Sequence, residues 1–101
     1  MAELTNVAFF KAKPGRSEDL GAALLALVSP SRQEAGSLRY EIHQSMESPD
    51  DWMVVEDWRH PSDFDEHMAT SYVREFLAKV PDLCVTDLEI RGFQQRSAPQ
   101  V

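Results

Sequence analysis

The sequence predicts a single α+β domain, in which a four-stranded antiparallel sheet carries two helices on one face. Three observations lead to this prediction. The chain has 101 residues, the size of one domain. Its composition, with 43% hydrophobic and 27% charged residues, is ordinary for a folded protein. Its strand and helix patterns follow one another in the order β-α-β-β-α-β, the ferredoxin-like arrangement.

The first third of the chain predicts a strand and a helix. Residues 4–12, LTNVAFFKA, are rich in strand formers and stop before a Pro-Gly turn signal. A helix then begins near Ser17, which we expect to cap it, and its apolar residues recur at three- and four-residue spacing. Pro30 is expected to kink this helix or to restart it with Ser29 as cap, and Gly36 to end it.

The remainder predicts two strands, a helix and a last strand. Residues 37–45 alternate, with Leu38, Tyr40 and Ile42 on one side of the strand. The later elements are predicted to be a strand over 52–58, a helix from Pro61 to Pro81 and a long strand over 83–93. We expect one domain over residues 1–101, with a core over about 4–93 and a flexible tail over 94–101.

The first and third predicted strands carry apolar residues in both phases of the strand alternation. Val7 and Phe9 alternate with Ala8 and Phe10, and the strand over 52–58 has the same property. Two helices can cover only one face of a sheet, so the other face needs a partner. The sequence therefore predicts a homodimer joined sheet to sheet.

Charge and composition exclude several classes of partner. The chain has 17 acidic against 10 basic residues, a formal net charge of −7, and no run of Lys or Arg that could neutralise phosphates. No segment approaches the roughly 18 consecutive apolar residues of a membrane span. We therefore expect neither nucleic acid nor a membrane as partner.

Cysteine and histidine usage narrows the chemistry further. Cys84 is the sole cysteine, so no intrachain disulfide can form, and residues 1–15 lack the basic and apolar regions of a signal peptide. We expect a cytoplasmic protein. His43, His60 and His67 contain no i,i+4 pair and have no cysteine partner, so we expect no metal site.

Four short motifs, taken in order, resemble a known family. They are AKPG at 12–15, RQEAGSLRYEIHQS at 32–45, VVEDW at 54–58, and a histidine in the second helix. Together they are similar to the antibiotic biosynthesis monooxygenase (ABM) domain, which includes small quinol monooxygenases and belongs with the wider dimeric α+β barrel group. The resemblance spans roughly residues 4–93.

The resemblance implies a dimeric barrel with a pocket in each subunit between sheet and helices. It also implies oxygenation of a quinol or polyphenolic aromatic substrate by O₂, with no flavin, haem or metal cofactor. Many relatives carry cysteine where this chain has Ser37, which removes any thiol-based mechanism at that position. The protein would have to bind an aromatic ring in a water-poor pocket and favour the phenolate.

These needs select six candidate residues. Glu56 and Trp58 share a strand phase and therefore project to one side of the sheet, where a residue of the second helix could reach them. We assign His67 to proton transfer, with Glu56 orienting its imidazole. The expected substrate-binding residues are Trp58, Tyr72, Asn6 and Phe64.

Structural roles are open for the same residues. The aromatic residues could be core packing, His67 a core histidine, and Asn6 the partner of a strand edge. Glu56 could pair with Arg39 or Arg91 across the sheet. Two other functions are also open: an isomerase or lyase acting on a small carbonyl compound, and a dimeric small-molecule-binding domain without turnover.

Overall fold

The computed structural model describes residues 2–100; Met1 and Val101, the two ends of the predicted domain, lie outside the described residues. The strands are β1 (Leu4–Lys11), β2 (Ser37–Gln44), β3 (Asp51–Trp58) and β4 (Glu89–Phe93). The helices are α1 (Ser17–Leu25), α2 (Val28–Arg32), α3 (Pro61–Met68) and α4 (Ser71–Leu83). None of the helices between residues 2 and 100 has the length and hydrophobicity needed to cross a membrane.

The four strands form one sheet in the order β2-β3-β1-β4, and every neighbouring pair is antiparallel. Strands β1 and β3 lie at the centre of the sheet, and the chain between them forms α1, α2 and β2. This topology confirms the predicted ferredoxin-like α+β fold.

The core lies between the sheet and the helices, because alternate strand residues point to that side. On β1 the inward residues are Asn6, Ala8 and Phe10, all at least nine-tenths buried. Helix α1 contributes Leu20 and Leu24, which have no exposed surface. The sheet face that holds these residues also holds the candidate site.

Each predicted helix is divided in two. Pro30 lies inside α2, which begins at Val28, so Ser29 is not a cap as expected. The second break falls at Ala69 and Thr70, within a segment for which the spacing predicted one continuous helix. It has a local cause: the Thr70 hydroxyl donates to the His67 carbonyl at 2.7 Å and so satisfies a carbonyl at the end of α3.

The last helix is longer and the last strand shorter than predicted. Pro81 does not end α4, which continues to Leu83, because the proline falls in the final turn and the buried Leu83 anchors that turn to the core. Strand β4 therefore begins at Glu89. Cys84 forms only an isolated bridge with Ala12, although it is buried as expected.

Strand β2 contains an irregularity at its start. The register to β3 shifts between Ser37 and Arg39, so Leu38 is an extra residue that opposes no partner. Leu38 is consequently half exposed and does not share the inward side with Tyr40, which corrects the simple alternation expected from the sequence.

The sheet face away from the helices has an apolar centre and charged edges. Val7 pairs with Val55 and Phe9 with Met53 across the central strands, and Phe9 is 40% exposed in the single chain. We call these four residues the open face. The flanking residues in the same rows are Glu41 and His43 on β2 and Glu89 and Arg91 on β4.

Candidate active site

Glu56 occupies an inward position on β3 and is held there by two N–H donors. The Trp58 indole Nε1 donates to Glu56 Oε1 at 2.9 Å, because residues two apart on a strand share a face. Asn6, which is paired with Glu56 across β1 and β3, donates its Nδ2 to the same oxygen at 3.3 Å. All three side chains are at least nine-tenths buried. The predicted projection of Glu56 and Trp58 to one side is thus what the structure shows.

Burial determines the proton affinity of Glu56. Removal from water raises the pKa of this carboxyl group, since the low-dielectric interior disfavours its charged form. The hydrogen bond from Trp58, the nearby His67 ring and the hydrogen bond from Asn6 act in the opposite direction, and the net pKa remains raised. A carboxyl group of this kind can exchange a proton inside the cavity.

His67 reaches the same region from α3, as the sequence predicts. Its side chain is only 3% exposed, and its ring centroid lies 4.7 Å from that of Trp58. The carboxylate that bonds the imidazole belongs to Glu34, however, at 2.8 Å between Nδ1 and Oε2. Glu56, expected to orient the ring, instead accepts its hydrogen bonds from the two N–H donors described above.

Glu34 is the residue that sequence reasoning missed. It follows α2 and lies 33 residues before His67, so no local spacing links the two. The only available signal is an acidic residue two positions before the turn at Gly36, within one of the family-like motifs. Tyr72, at the start of α4, donates its hydroxyl to the same Glu34 oxygen.

Two tyrosines near His67 remain protonated over a wide pH range. Burial raises the pKa of Tyr72 to about 12, with further contributions from the hydrogen bond to Glu34 and from its charge. Burial likewise raises the pKa of Tyr40, whose ring centroid is 5.5 Å from that of His67. Neither phenol therefore acts as a base, and the Tyr72 hydroxyl donates its hydrogen bond to Glu34.

A small cavity lies against these groups, between the sheet and the helices. Its volume is about 30 Å³, enough for one or two water molecules. Three of the six candidate residues, Glu56, Phe64 and His67, line it, whereas Trp58, Asn6 and Tyr72 do not. The other lining residues are apolar apart from Tyr40 and include Leu24, Val54, Met68, Phe76, Leu77 and Ile90.

A larger hollow, of about 640 Å³, lies elsewhere, at the ends of β1, β2 and β3. Its walls include Phe9 and Met53 of the open face, together with His43. His43 is half exposed and bonded to Glu41 at 3.3 Å. We assign the candidate site to the smaller cavity, because its ionisable groups are buried and are held by specific hydrogen bonds.

Helix α3 carries His67 in its last turn, and contacts of Asp63 hold its N-terminal end in place. The Asp63 carboxylate accepts a hydrogen bond from the His60 backbone N–H at 3.0 Å and pairs with Arg59 at 3.1 Å. The Arg59 hydrogen bond holds the pKa of Asp63 below its usual value. Asp63 also packs so closely on Gly36 that a Cβ atom at position 36 would overlap it. Glycine is therefore required there for α3, and with it His67, to keep its position.

These features define a class: a small α+β domain whose small, largely apolar cavity holds a buried histidine and a buried carboxyl group. The ABM family model, described as antibiotic biosynthesis monooxygenase, matches residues 4–79, and the chain belongs to this family. No group of three or more potential metal-ligating side chains is found among residues 2–100.

Three similar proteins illustrate the family. The structure of PA3566 from Pseudomonas aeruginosa has a TM-score of 0.90 and 31% sequence identity, and the match covers 96% of this chain and 97% of that one. The uncharacterised protein sll1783 of Synechocystis is 32% identical over 84 residues, covering 83% of this chain, and the match spans 57% of that relative's length. YcnE of Bacillus subtilis, which is a candidate monooxygenase by name, is 25% identical over 83 residues, covering 82% of this chain and 87% of YcnE.

Proposed function

We propose that the protein is a cofactor-independent monooxygenase that oxidises a quinol or polyphenolic aromatic compound with O₂. The observation that carries this proposal is the cavity itself, where His67 and Glu56 are buried in apolar surroundings. An apolar cavity accepts both an aromatic ring and the neutral O₂ molecule. Membership of the ABM family supports the same chemistry.

The proposed reaction needs no external reductant, because the substrate supplies all the electrons. One quinol and one O₂ give one hydroxyquinone and one water. One oxygen atom of O₂ forms the new C–O bond, and the other leaves as water with the two hydrogens that the substrate loses. Deprotonation of the quinol starts the reaction, since the anion transfers an electron to O₂ far more readily than the neutral molecule does.

The site residues take distinct roles in this scheme. His67 accepts the phenolic proton as general base. Glu56, whose pKa is raised mainly by burial, passes a proton to the oxygen that leaves as water. Phe64 packs against the substrate ring. Trp58 and Asn6 hold the Glu56 carboxyl group in place through the hydrogen bonds described above.

Substrate binding requires the cavity to open. Ligand pockets for molecules of this size occupy roughly 300 Å³ or more, about ten times the observed volume of about 30 Å³. The half-buried lining residues mark where the cavity meets the surface, and they include Phe64, Leu77 and Ile90. We propose that these side chains move aside when the aromatic ring enters.

The open face supports a homodimer, which would complete the barrel expected from the resemblance. Val7, Phe9, Met53 and Val55 form its apolar centre, and one chain alone leaves that centre in contact with water. A second copy that packs the same face against it would bury these residues in a two-fold interface.

Oxygen uptake by purified, chelator-treated protein tests the proposed function. A panel of reduced naphthoquinols and polyphenols is supplied, and the autoxidation rate without protein is subtracted. We expect saturable uptake, and with ¹⁸O₂ a product that gains one labelled oxygen and loses two hydrogens. His67→Ala should abolish most of it, whereas His60→Ala, at a half-exposed histidine, should not. No uptake above background across the panel would refute the proposal.

One observation favours a second candidate function, a non-redox isomerase or lyase. The cavity is small, and its buried histidine and carboxyl group could move a proton between two carbon atoms of a small carbonyl compound. Such an enzyme would exchange substrate hydrogens for deuterium in ²H₂O without consuming O₂. That result would refute the monooxygenase proposal and support the isomerase or lyase.

A further inference from the structure

We propose that Glu34 is a positioning residue that fixes the tautomer of His67 and stabilises its protonated form during turnover. This inference rests on the proposed function, in which His67 is the base. A carboxylate only accepts hydrogen bonds, so the imidazole nitrogen that faces it must carry the proton. The 2.8 Å contact between Glu34 Oε2 and His67 Nδ1 therefore places the proton on Nδ1.

Protonation of Nδ1 determines the state of the other imidazole nitrogen of His67, Nε2. In a neutral imidazole with Nδ1 protonated, Nε2 carries the lone pair. His67 lines the cavity, and Nε2 is the nitrogen left available to a substrate hydroxyl there. Once Nε2 has taken the substrate proton, the imidazolium lies next to the negative charge of Glu34, and this contact lowers the energy of the charged intermediate.

Tyr72 holds Glu34 in position. Its hydroxyl donates to the same oxygen, Oε2, that accepts from His67, and the phenol stays protonated because its pKa is raised to about 12. The side chains of Glu34, His67 and Tyr72 come from the α2–β2 connection, α3 and α4 respectively. Movement of any one of these segments would therefore change the hydrogen bonds of the base.

The other ionisable groups around His67 do not replace Glu34. Glu56 accepts hydrogen bonds from Trp58 and Asn6, and Tyr40 packs its ring against the imidazole at 5.5 Å between centroids. Glu34 is thus the carboxylate that the structure assigns to Nδ1 among the described residues.

Glu34→Gln tests the proposal, since the side chain keeps its shape and loses its charge. General-base catalysis contributes on the order of 10²- to 10⁴-fold, so we expect kcat to fall at least about tenfold while KM changes less than about twofold. Tyr72→Phe should lower kcat less, because Glu34 keeps its charge. Glu41→Gln is the matched control: its carboxylate bonds the exposed His43, so kcat should not change.

A second readout does not depend on turnover. Nitrogen-15 shifts of labelled histidine, recorded where the ring is neutral, report which nitrogen carries the proton. We expect His67 to be protonated at Nδ1 in the wild type and to become a mixture of tautomers in Glu34→Gln, because the glutamine amide can either accept from or donate to the ring. Glu41→Gln should leave the His67 signals unchanged.

The two readouts separate the two claims. If the wild type shows no turnover but His67 is protonated at Nδ1 and loses this preference in Glu34→Gln, the positioning role holds and the monooxygenase proposal fails. If Glu34→Gln lowers stability but leaves both kcat and the tautomer unchanged, Glu34 is only a structural link and the inference is refuted.

Discussion

Trp58→Phe tests how much of the stability of the site comes from the buried indole–carboxylate hydrogen bond. The substitution keeps an aromatic ring but removes the Nε1 donor to Glu56. A hydrogen bond to a charged group contributes about 1.5–3 kcal/mol. The smaller ring also leaves a void, which at about 24 cal/mol per Å³ costs on the order of 1 kcal/mol for each 40 Å³. We expect a total loss of about 2.5–4 kcal/mol in unfolding free energy at neutral pH.

The pH dependence distinguishes the two contributions. The pKa of Glu56 is raised in the folded protein, mainly by burial, so its ionisation lowers stability as pH rises above the unfolded-state value of about 4.3. Loss of the Trp58 donor raises the pKa further and extends this decrease to higher pH. The cost of Trp58→Phe should therefore be smaller near pH 4 than at pH 7, whereas the packing cost stays the same at both.

Urea unfolding followed by circular dichroism measures these values, at one fixed protein concentration because self-association would shift them. The same substitution in a Glu56→Gln background is the control, and there its cost should become independent of pH. If Trp58→Phe costs the same at pH 4 and pH 7, and the same with Gln at position 56, the indole N–H contributes nothing and the reasoning fails.

Three further predictions concern the open face, the cavity and the N-terminal end of α3. Val55→Lys should convert the proposed dimer into a folded monomer, since it places a charge in the apolar centre of the proposed interface while Glu41 lies beside it within its own sheet. Sedimentation velocity measures this, and the exposed Leu25→Lys is the control. Phe64→Ala should enlarge the cavity and lower the free energy of unfolding by roughly 1–3 kcal/mol, because the ring is half buried. It should also increase kcat/KM for bulkier phenols. If the preference between small and bulky phenols does not change, Phe64 does not contact the substrate. Gly36→Ala should lower both Tm and turnover by displacing α3, and it should do so much less in an Asp63→Gly background; equal effects in both backgrounds would contradict the proposed overlap.

The sequence predicted those features that follow from regular periodicity. The two-residue period of β3 placed Glu56 and Trp58 on one side, and the order of elements predicted the sheet. The hydrogen bond between Glu34 and His67 depends instead on how α2 and α3 pack over β2 and β3, which no short-range pattern encodes. The break before α4 depends on one hydroxyl–carbonyl hydrogen bond at Thr70, which competes with a pattern that fits a continuous helix equally well.

That break has an evolutionary consequence. Helix α3 contributes His67, the proposed base, to the cavity lining, whereas α4 contributes Val73, Phe76 and Leu77. Because α3 and α4 are separate helices, substitutions at these three α4 positions can reshape the cavity as long as Tyr72, on the same helix, keeps its hydrogen bond to Glu34. Related proteins could therefore differ in cavity shape through α4 and keep the proposed base on α3.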